Sequence, residues 1–363
     1  MRKKNYISDA GYRCFFIPVI LSLFLVFASC TREEEKELKN YYSAGVISSD
    51  VISYTPGSAS IKLKFFVLDK SNNDGLVRFD ISDKLIAGDG YTADSYDSLS
   101  RIVTPGKGNY SAAVIISEGF DEEKNMRDFF IIMEPLLRKF IHASVPQNEL
   151  VLAKAGNPGK PVELIGGGFI TDPRLIDQDL AEIYHQGTGT FTDTLCLLTA
   201  IDSMMIYLHN NASYENRHLF IMVSRRKNFY RERNFANILY KAKNWGITCH
   251  LVEVVPTYTW GDYEMRSFLE KLNARSGGIY CESPFAFGYN YDYGELPMDM
   301  LQIAGRLPDM LSGNMECFEI VWTVNDKYSG FTGGKVCSWD FYIRLNTGYE
   351  QGELAIPVKF YIE

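Results

Sequence analysis

Histidine is scarce in these 363 residues. The five present, His142, His185, His209, His218 and His250, follow no HExxH or comparable ligand spacing and read as satisfied surface or edge side chains. Phosphate-cradling loops are missing as well. Gly166-Gly167-Gly168 follows a candidate strand but carries neither the GxGxxG nor the P-loop pattern, which leaves a flexible turn. Ser117-Glu118-Gly119 sits at a strand end, yet Ile115 occupies the place where a nucleophile elbow needs glycine, so Ser117 reads as a loop serine capping a helix. No acid, base and nucleophile converge in the pattern, and the chain is expected to be neither an enzyme nor the holder of a cofactor.

Positive charge is also short, with 37 Lys and Arg against 45 Asp and Glu and a net charge of -8. The first 29 residues are themselves basic, since Arg2, Lys3, Lys4 and Arg13 outweigh Asp9, so the remainder carries about -11. Such a surface repels phosphate backbones, and no nucleic-acid partner is expected. The basic cluster Arg225, Arg226, Lys227, Arg231 and Arg233 reads as a solvated loop. Beyond Cys14 and Cys30, the cysteines are Cys196, Cys249, Cys281, Cys317 and Cys337, an odd number without the spacing of a metal knuckle. Most lie in apolar runs, where a thiol behaves as a small hydrophobe. Apolar material is ample, at 46% hydrophobic and 14% aromatic, which is enough for one large core or two modest ones and excludes disorder throughout.

The apolar stretch from Cys14 to Ala28 is shorter than the about 20 residues a membrane-spanning helix wants, and Pro18 would kink one. Preceded by basic residues and closed by the small Ala28 and Ser29, it has the parts of an export signal. Val26-Phe27-Ala28-Ser29-Cys30 resembles the bacterial lipobox, in which the cysteine is lipidated and becomes the new N-terminus; Phe27 stands where a small aliphatic residue is usual. The resemblance implies a signal peptide over 1–29 and a membrane anchor on Cys30. Thr31-Arg-Glu-Glu-Glu-Lys-Glu37 has no apolar residue to pack and begins a flexible tether expected over 30–50. Acidic runs at this place resemble signals that carry Gram-negative lipoproteins to the outer face of the outer membrane, so the expected location is the cell envelope, on the outer membrane and at the surface.

An N-terminal β segment is expected over 51–108, because Ile61, Leu63, Phe65 and Val67 alternate with Lys62 and Lys64 and a turn at Asn72-Asn-Asp-Gly75 precedes a second strand from Leu76 to Ile81. At Ala112 the character changes to an uninterrupted apolar strand, followed by a helix whose Met126, Phe129, Phe130, Met133, Leu136, Leu137, Phe140 and Ile141 recur every three or four positions and which Pro135 should kink. Short apolar runs at 149–153 and 162–165 fit either a hairpin or two successive strands. Helices at 193–209, 232–245 and 262–275 then alternate with strands at 218–224, 247–255 and 278–282, which argues for a mainly parallel sheet covered on both faces within a domain over 109–312. The segment 313–363 returns to alternation around Trp322, Phe341 and Val358. It is expected to pair with the strands near Ile61 as one β layer, with Pro357 at an edge or bulge.

From about Ala112 to Ser283 the order of features resembles a von Willebrand factor type A domain. Ala112 to Gly119 looks like that family's first strand and loop, Gly187 to Leu195 like the loop opening its central helix, His218 to Ser224 like the next strand, and Ala274 to Tyr280 like the last crossover. The resemblance implies a Rossmann-like three-layer α/β sandwich with an accessory antiparallel β layer from both flanks, and a role in binding ligands or partner proteins. It also implies a metal site made of a DxSxS loop, a threonine and a later aspartate. Here the first loop reads Ser117-Glu118-Gly119-Phe120-Asp121, the threonine is Thr190 or Thr192, and Arg225 holds the aspartate position. A hard divalent cation wants several oxygen ligands, so the expected site is degenerate and empty of metal.

The remaining candidates are aromatic: Tyr258, Trp260 and Tyr263 in one segment, and Phe287, Tyr289 and Tyr291 in another. Rigid amphipathic rings suit interfaces and sugar stacking, and equally suit sealing the end of a sheet. The expected function is a membrane-tethered binding or assembly module for a protein or glycan partner, with a structural envelope subunit and a hydrolase on the same scaffold as the other readings.

Two outcomes follow. Metabolic labelling with a fatty acid should mark the wild-type chain and not Cys30→Ala; label retained by the variant would end the lipoprotein reading. Because Arg225 brings a permanent cation to the place of a metal carboxylate, unfolding midpoints in millimolar magnesium, manganese or chelator should coincide. A ligand at about 100 times its Kd would instead stabilise by about 2.7 kcal/mol, and such a shift, abolished by Asp121→Ala, would restore the metal site.

Overall fold

A computed structural model describes residues 42–69, 75–77, 84–87, 95–96, 99–117, 123–157, 159–186, 196–224, 235–254, 263–283, 298–325, 331–346 and 351–363. The first elements are β1 (Tyr42–Thr55), β2 (Ser58–Asp69), β3 (Gly75–Leu76), β4 (Lys84–Ala87), β5 (Ser95–Tyr96) and β6 (Ser100–Val103). An α/β series follows, β7 (Ser111–Ser117), α1 (Glu123–Ser144), β8 (Glu149–Asn157), β9 (Lys160–Ile165), α2 (Pro173–Gln186), α3 (Leu197–Asn211) and β10 (Arg217–Ser224). It continues through α4 (Phe235–Asn244), β11 (Ile247–Val254), α5 (Tyr263–Ser276), β12 (Tyr280–Ser283) and α6 (Met298–Ser312), and β13 (Glu316–Asn325), β14 (Lys335–Asn346) and β15 (Gln351–Ile362) end the chain.

Every side chain of β7 is buried, which a strand achieves only inside a sheet covered on both faces. The sheet order is β12-β11-β10-β7-β8-β9. All neighbours are parallel except β8 and β9, so the two short apolar runs around 149–165 form a hairpin. On one face Met133, Phe140, Leu307 and Leu311 pack with Val114, Ile116 and Phe220. On the other, Met204, Met205 and Leu269 pack with Ile115, Ile221 and Leu251. The α/β sandwich is therefore three-layered, as expected from the alternation. Passage from α5 to β12 needs glycine: Gly277 has φ +70°, and a side chain at Gly278 would collide with the Cys249 carbonyl. The edge strand β9 is blunted by Pro161 and by an exposed Lys160–Glu163 ion pair at 2.7 Å.

The flanks meet as foreseen, with β13 paired to β2 through Trp322↔Ile61. They do not make a single layer. β14 pairs with β15 and β4 in a separate three-stranded sheet, and the two sheets enclose Phe65, Trp322, Phe341 and Phe360. Amphipathic strands on both sides each had an apolar face to bury, and facing one another buries both. β15, which holds Pro357, is an edge of its sheet. β1 begins at Tyr42, inside the stretch expected to be tether up to residue 50; register shifts at Val46/Ser48 and Val51/Ser53 break its alternation and hide the strand in the sequence. The expected strand over 76–81 is described only to Val77, whose N–H donates to Val67 O at 2.8 Å. Cys196, Cys249, Cys317 and Cys337 are thiols, the first three buried, and burial pushes Cys249 up to about 12 and Cys317 to about 11.

One buried polar chain crosses the base of the central sheet. His250 Nδ1 accepts the Ile279 N–H at 2.9 Å, which puts a neutral ring's proton on Nε2, 3.0 Å from His218 Nδ1. His218 then donates from Nε2 to Asn216 Oδ1 at 3.0 Å, and Asn216 donates to Leu311 O at 2.8 Å. Every link fits two neutral rings. Burial, reinforced by the Lys107 charge, pushes His218 down to about 3. His250 lies well below its ordinary value through burial, then His218 and Lys107. The unfolded chain therefore takes up protons below about pH 6.5 that the folded chain refuses. Stability is full above that pH and falls as pH drops toward His218's folded value, by about 1.4 kcal/mol per pH unit for each histidine. Urea midpoints should fall between about pH 6 and 5, above the range of ordinary carboxylates, and a His218→Leu, His250→Phe double variant should lose that slope. A wild-type midpoint that stays flat there would contradict the relay.

Candidate functional site

The order of the central sheet reverses at β7. From there the chain builds outward through β8 and β9 on one side, then returns to lay down β10, β11 and β12 on the other. In open α/β sheets such a reversal leaves a crevice outside the C-terminal strand ends, between the two strands where the direction changes. Here those strands are β7 and β10, in register through Ser117↔Val223.

Register extends this row across the edge, Val223 standing opposite Glu253 of β11, and Glu253 opposite Glu282 of β12. Ser117 is the last residue of β7 and is buried, so it is a strand end and not the loop cap the sequence suggested. Glu253 is wholly buried and accepts a hydrogen bond from Tyr280 Oη at 2.6 Å. Its place follows from parity, because Cys249 and Leu251 face the α3–α5 side of the sheet and Glu253 continues their alternation. That was the available signal: one acid in step with the apolar Ile247, Cys249 and Leu251 on the core-facing side of the strand. The N-terminus of α3 reaches the same edge, the Cys196 N–H donating to Gly156 O near the end of β8 at 3.0 Å.

Of the sequence candidates, Ser117 lies at this edge, and Tyr263 is the first residue of α5, which follows β11. Gly119, Asp121, Thr190, Thr192, Arg225, Tyr258, Trp260, Phe287, Tyr289 and Tyr291 lie outside the described residues, as does Cys30. The described elements nearest them in sequence are β7, which stops at Ser117, β10, which stops at Ser224, and α3, which starts at Leu197. Among the described residues no three of His, Cys, Asp and Glu converge as a metal site.

Behind the edge stands a second charged cluster, missed in the sequence because it joins residues far apart. Lys359 of β15 has 4% of its side chain exposed and pairs with Glu270 of α5 at 2.5 Å. Arg266 binds the same Glu270 oxygen at 3.0 Å. The Lys359 ammonium also lies 3.9 Å from the centre of the Tyr280 ring, whose hydroxyl is on Glu253.

Comparison with family models and with curated proteins gives no match. Among solved structures, the chain is similar to the human COPII-coat protein Sec24c at 10% identity and a TM-score of 0.39, over 72% of this chain and 44% of that one. A von Willebrand factor type A structure from Catenulispora acidiphila is similar at 8% identity and 0.38, over 89% and 73%. The pilus adhesin SpaC from Lactobacillus rhamnosus GG, in its open conformation, is similar at 9% identity and 0.36, over 87% and 47%. The chain thus spans less than half the length of the Sec24c and SpaC chains. Likenesses this distant carry no function.

Proposed function

We propose that this chain is a lipid-anchored envelope protein, displayed on the outer membrane, whose α/β domain binds a protein or glycan through the C-terminal edge of its central sheet without catalysing a reaction. The asymmetry of the connections carries the reading. At the N-terminal edge the helix-to-strand links are short: 145–148, 212–216, 245–246 and 277–279. At the C-terminal edge the β8–β9 turn and 118–122 after β7 are short, but the other three are long: 225–234 between β10 and α4, 255–262 between β11 and α5, and 284–297 between β12 and α6. Binding residues concentrate on loops held by a rigid scaffold, and the long links carry Tyr258, Trp260, Phe287, Tyr289 and Tyr291.

The anchor fits the start of the fold. With β1 beginning at Tyr42, residues 31–41 span at most about 40 Å fully extended, so a lipid on Cys30 would hold the domain close to the bilayer. No helix of the described residues is long and apolar enough to cross a membrane.

Affinity capture from intact cells, with wild type and a Trp260→Ala, Tyr263→Ala double variant, tests the binding edge. Wild type should retain one stoichiometric protein or glycan. The variant should lose it at an unchanged Tm, since a hot-spot ring contributes about 2 kcal/mol, roughly thirtyfold in Kd. Equal capture by both chains removes the rings from the interface, and a stability loss of about 3 to 5 kcal/mol places them in the core.

A further inference from the structure

The cluster around Lys359 connects three parts of the molecule that are distant in sequence. On β15, Ile356, Val358, Phe360 and Ile362 point into the sandwich core. Lys359 and Tyr361 alternate with them and so face the opposite way, toward α5, where Lys271 and Arg275 lie over the Tyr361 ring at 5.2 and 5.3 Å. Lys359 reaches further, to Glu270 and to the face of Tyr280. Its own carbonyl accepts a hydrogen bond from Ser49 Oγ of β1 at 2.6 Å. One residue therefore touches the first strand of the fold, the helix α5 and the edge strand β12.

Lys359 and Arg266 share the Glu270 carboxylate, and the ring that the Lys359 ammonium faces donates its hydroxyl to Glu253. A cation above the ring withdraws electron density from it and makes that hydroxyl a stronger donor to Glu253. A buried ammonium separated from its carboxylate is strongly disfavoured, so β15 has no comfortable half-withdrawn position. Either Lys359 is seated on Glu270 and Tyr280, or it leaves both and is hydrated.

We propose that Lys359 is a coupling strut: seating of the β sandwich on α5 fixes, through Tyr280 and Glu253, the C-terminal ends of β11 and β12. Displacement of β1 or β15 loosens that edge while β7 and β10 hold. That this edge binds a partner is the reading given above, on which the strut's regulatory meaning rests; the strut itself is measured without any partner.

Hydrogen exchange on the full mature chain provides the test, with Lys359→Met, which keeps the stem and removes the charge, and Tyr280→Phe, which keeps the ring and removes the hydroxyl. In Lys359→Met, exchange should rise about tenfold or more in 250–254 and 280–283 as well as in 351–362, with 111–117 unchanged. In Tyr280→Phe, exchange should rise in 250–254 and not in 351–362. Faster exchange confined to 351–362 and 263–276 in the lysine variant overturns the strut, because the edge then does not feel β15. If Lys359→Met loosens every segment together or fails to fold, the tyrosine variant decides alone, and an unchanged 250–254 in it overturns the proposal. Loss of partner capture by the Trp260 and Tyr263 variant with this exchange pattern intact, or the converse, keeps the two proposals separable.

Discussion

Lys359, with 4% of its side chain exposed, pairs with Glu270 and ties the β sandwich to the α/β half of the molecule. A buried cation tolerates only a narrow geometry. Glu270 is held for it by Arg266 one turn earlier on α5, at an i,i+4 spacing that suits the pair. Tyr280 offers the ring face from β12, the outermost parallel strand. On the far side of the sandwich the contact is apolar instead: Phe66 and Leu68 of β2 join the core formed by α1 and α6. Apolar burial is non-directional, whereas a buried ion pair tolerates few geometries, so the two contacts constrain the sandwich in different ways.

The placement also deals with an exposure problem. A six-stranded sheet has two edges, and an unpaired edge is a template for another strand. β9 is protected by its own sequence, through Pro161 and the Lys160–Glu163 pair. β12 has only four residues, and the sandwich stands beside it by way of β15 and α5. The chain thus uses its two ends, brought together by the β2–β13 ladder, to flank the weaker edge of its middle.

Much of this was legible, for reasons that are local. The parallel strands are apolar on both faces, and β2, β13, β14 and β15 alternate with period two, so their existence and type follow from patterns a few residues long. β1 was obscured by two register shifts, whereas α2 was passed over despite a start signal, Asp172 accepting the Arg174 N–H ahead of Pro173 at the first helical position. The splitting of the flanks into two sheets depends on which apolar faces meet, and no single strand encodes that. The site was legible only in part. Ser117 was placed at a strand end because it closes an uninterrupted apolar run, whereas Glu253 was passed over although its parity placed it inside. The partners that make Glu253 tolerable, Tyr280 and beyond it Lys359, lie 27 and 106 positions away, and pairings of that range leave no periodic trace.

The two edges of the central sheet differ in how their polar groups are satisfied, and that difference bears on where function sits. At the N-terminal edge Glu149 takes bonds from Ser111 at 2.6 Å and from the Ser213 hydroxyl and N–H at 2.5 and 2.9 Å. Burial alone would raise its carboxyl, but those bonds outweigh it and hold the group below its usual range. Tyr110 donates to Ser144 at 2.7 Å, and the histidine relay spans the adjacent strands. Short links tied by such networks open last. At the C-terminal edge three of the links are long, the end of β11 carries a buried carboxylate, and the ring of that carboxylate's hydroxyl partner faces a lysine from the other half of the molecule. A site that must admit a partner belongs on the edge whose local stability is lower and adjustable, with the rigid edge as its foundation. On the proposed reading, partner binding falls to the C-terminal edge, which the sandwich reaches through Lys359, and the opposite edge serves as its foundation.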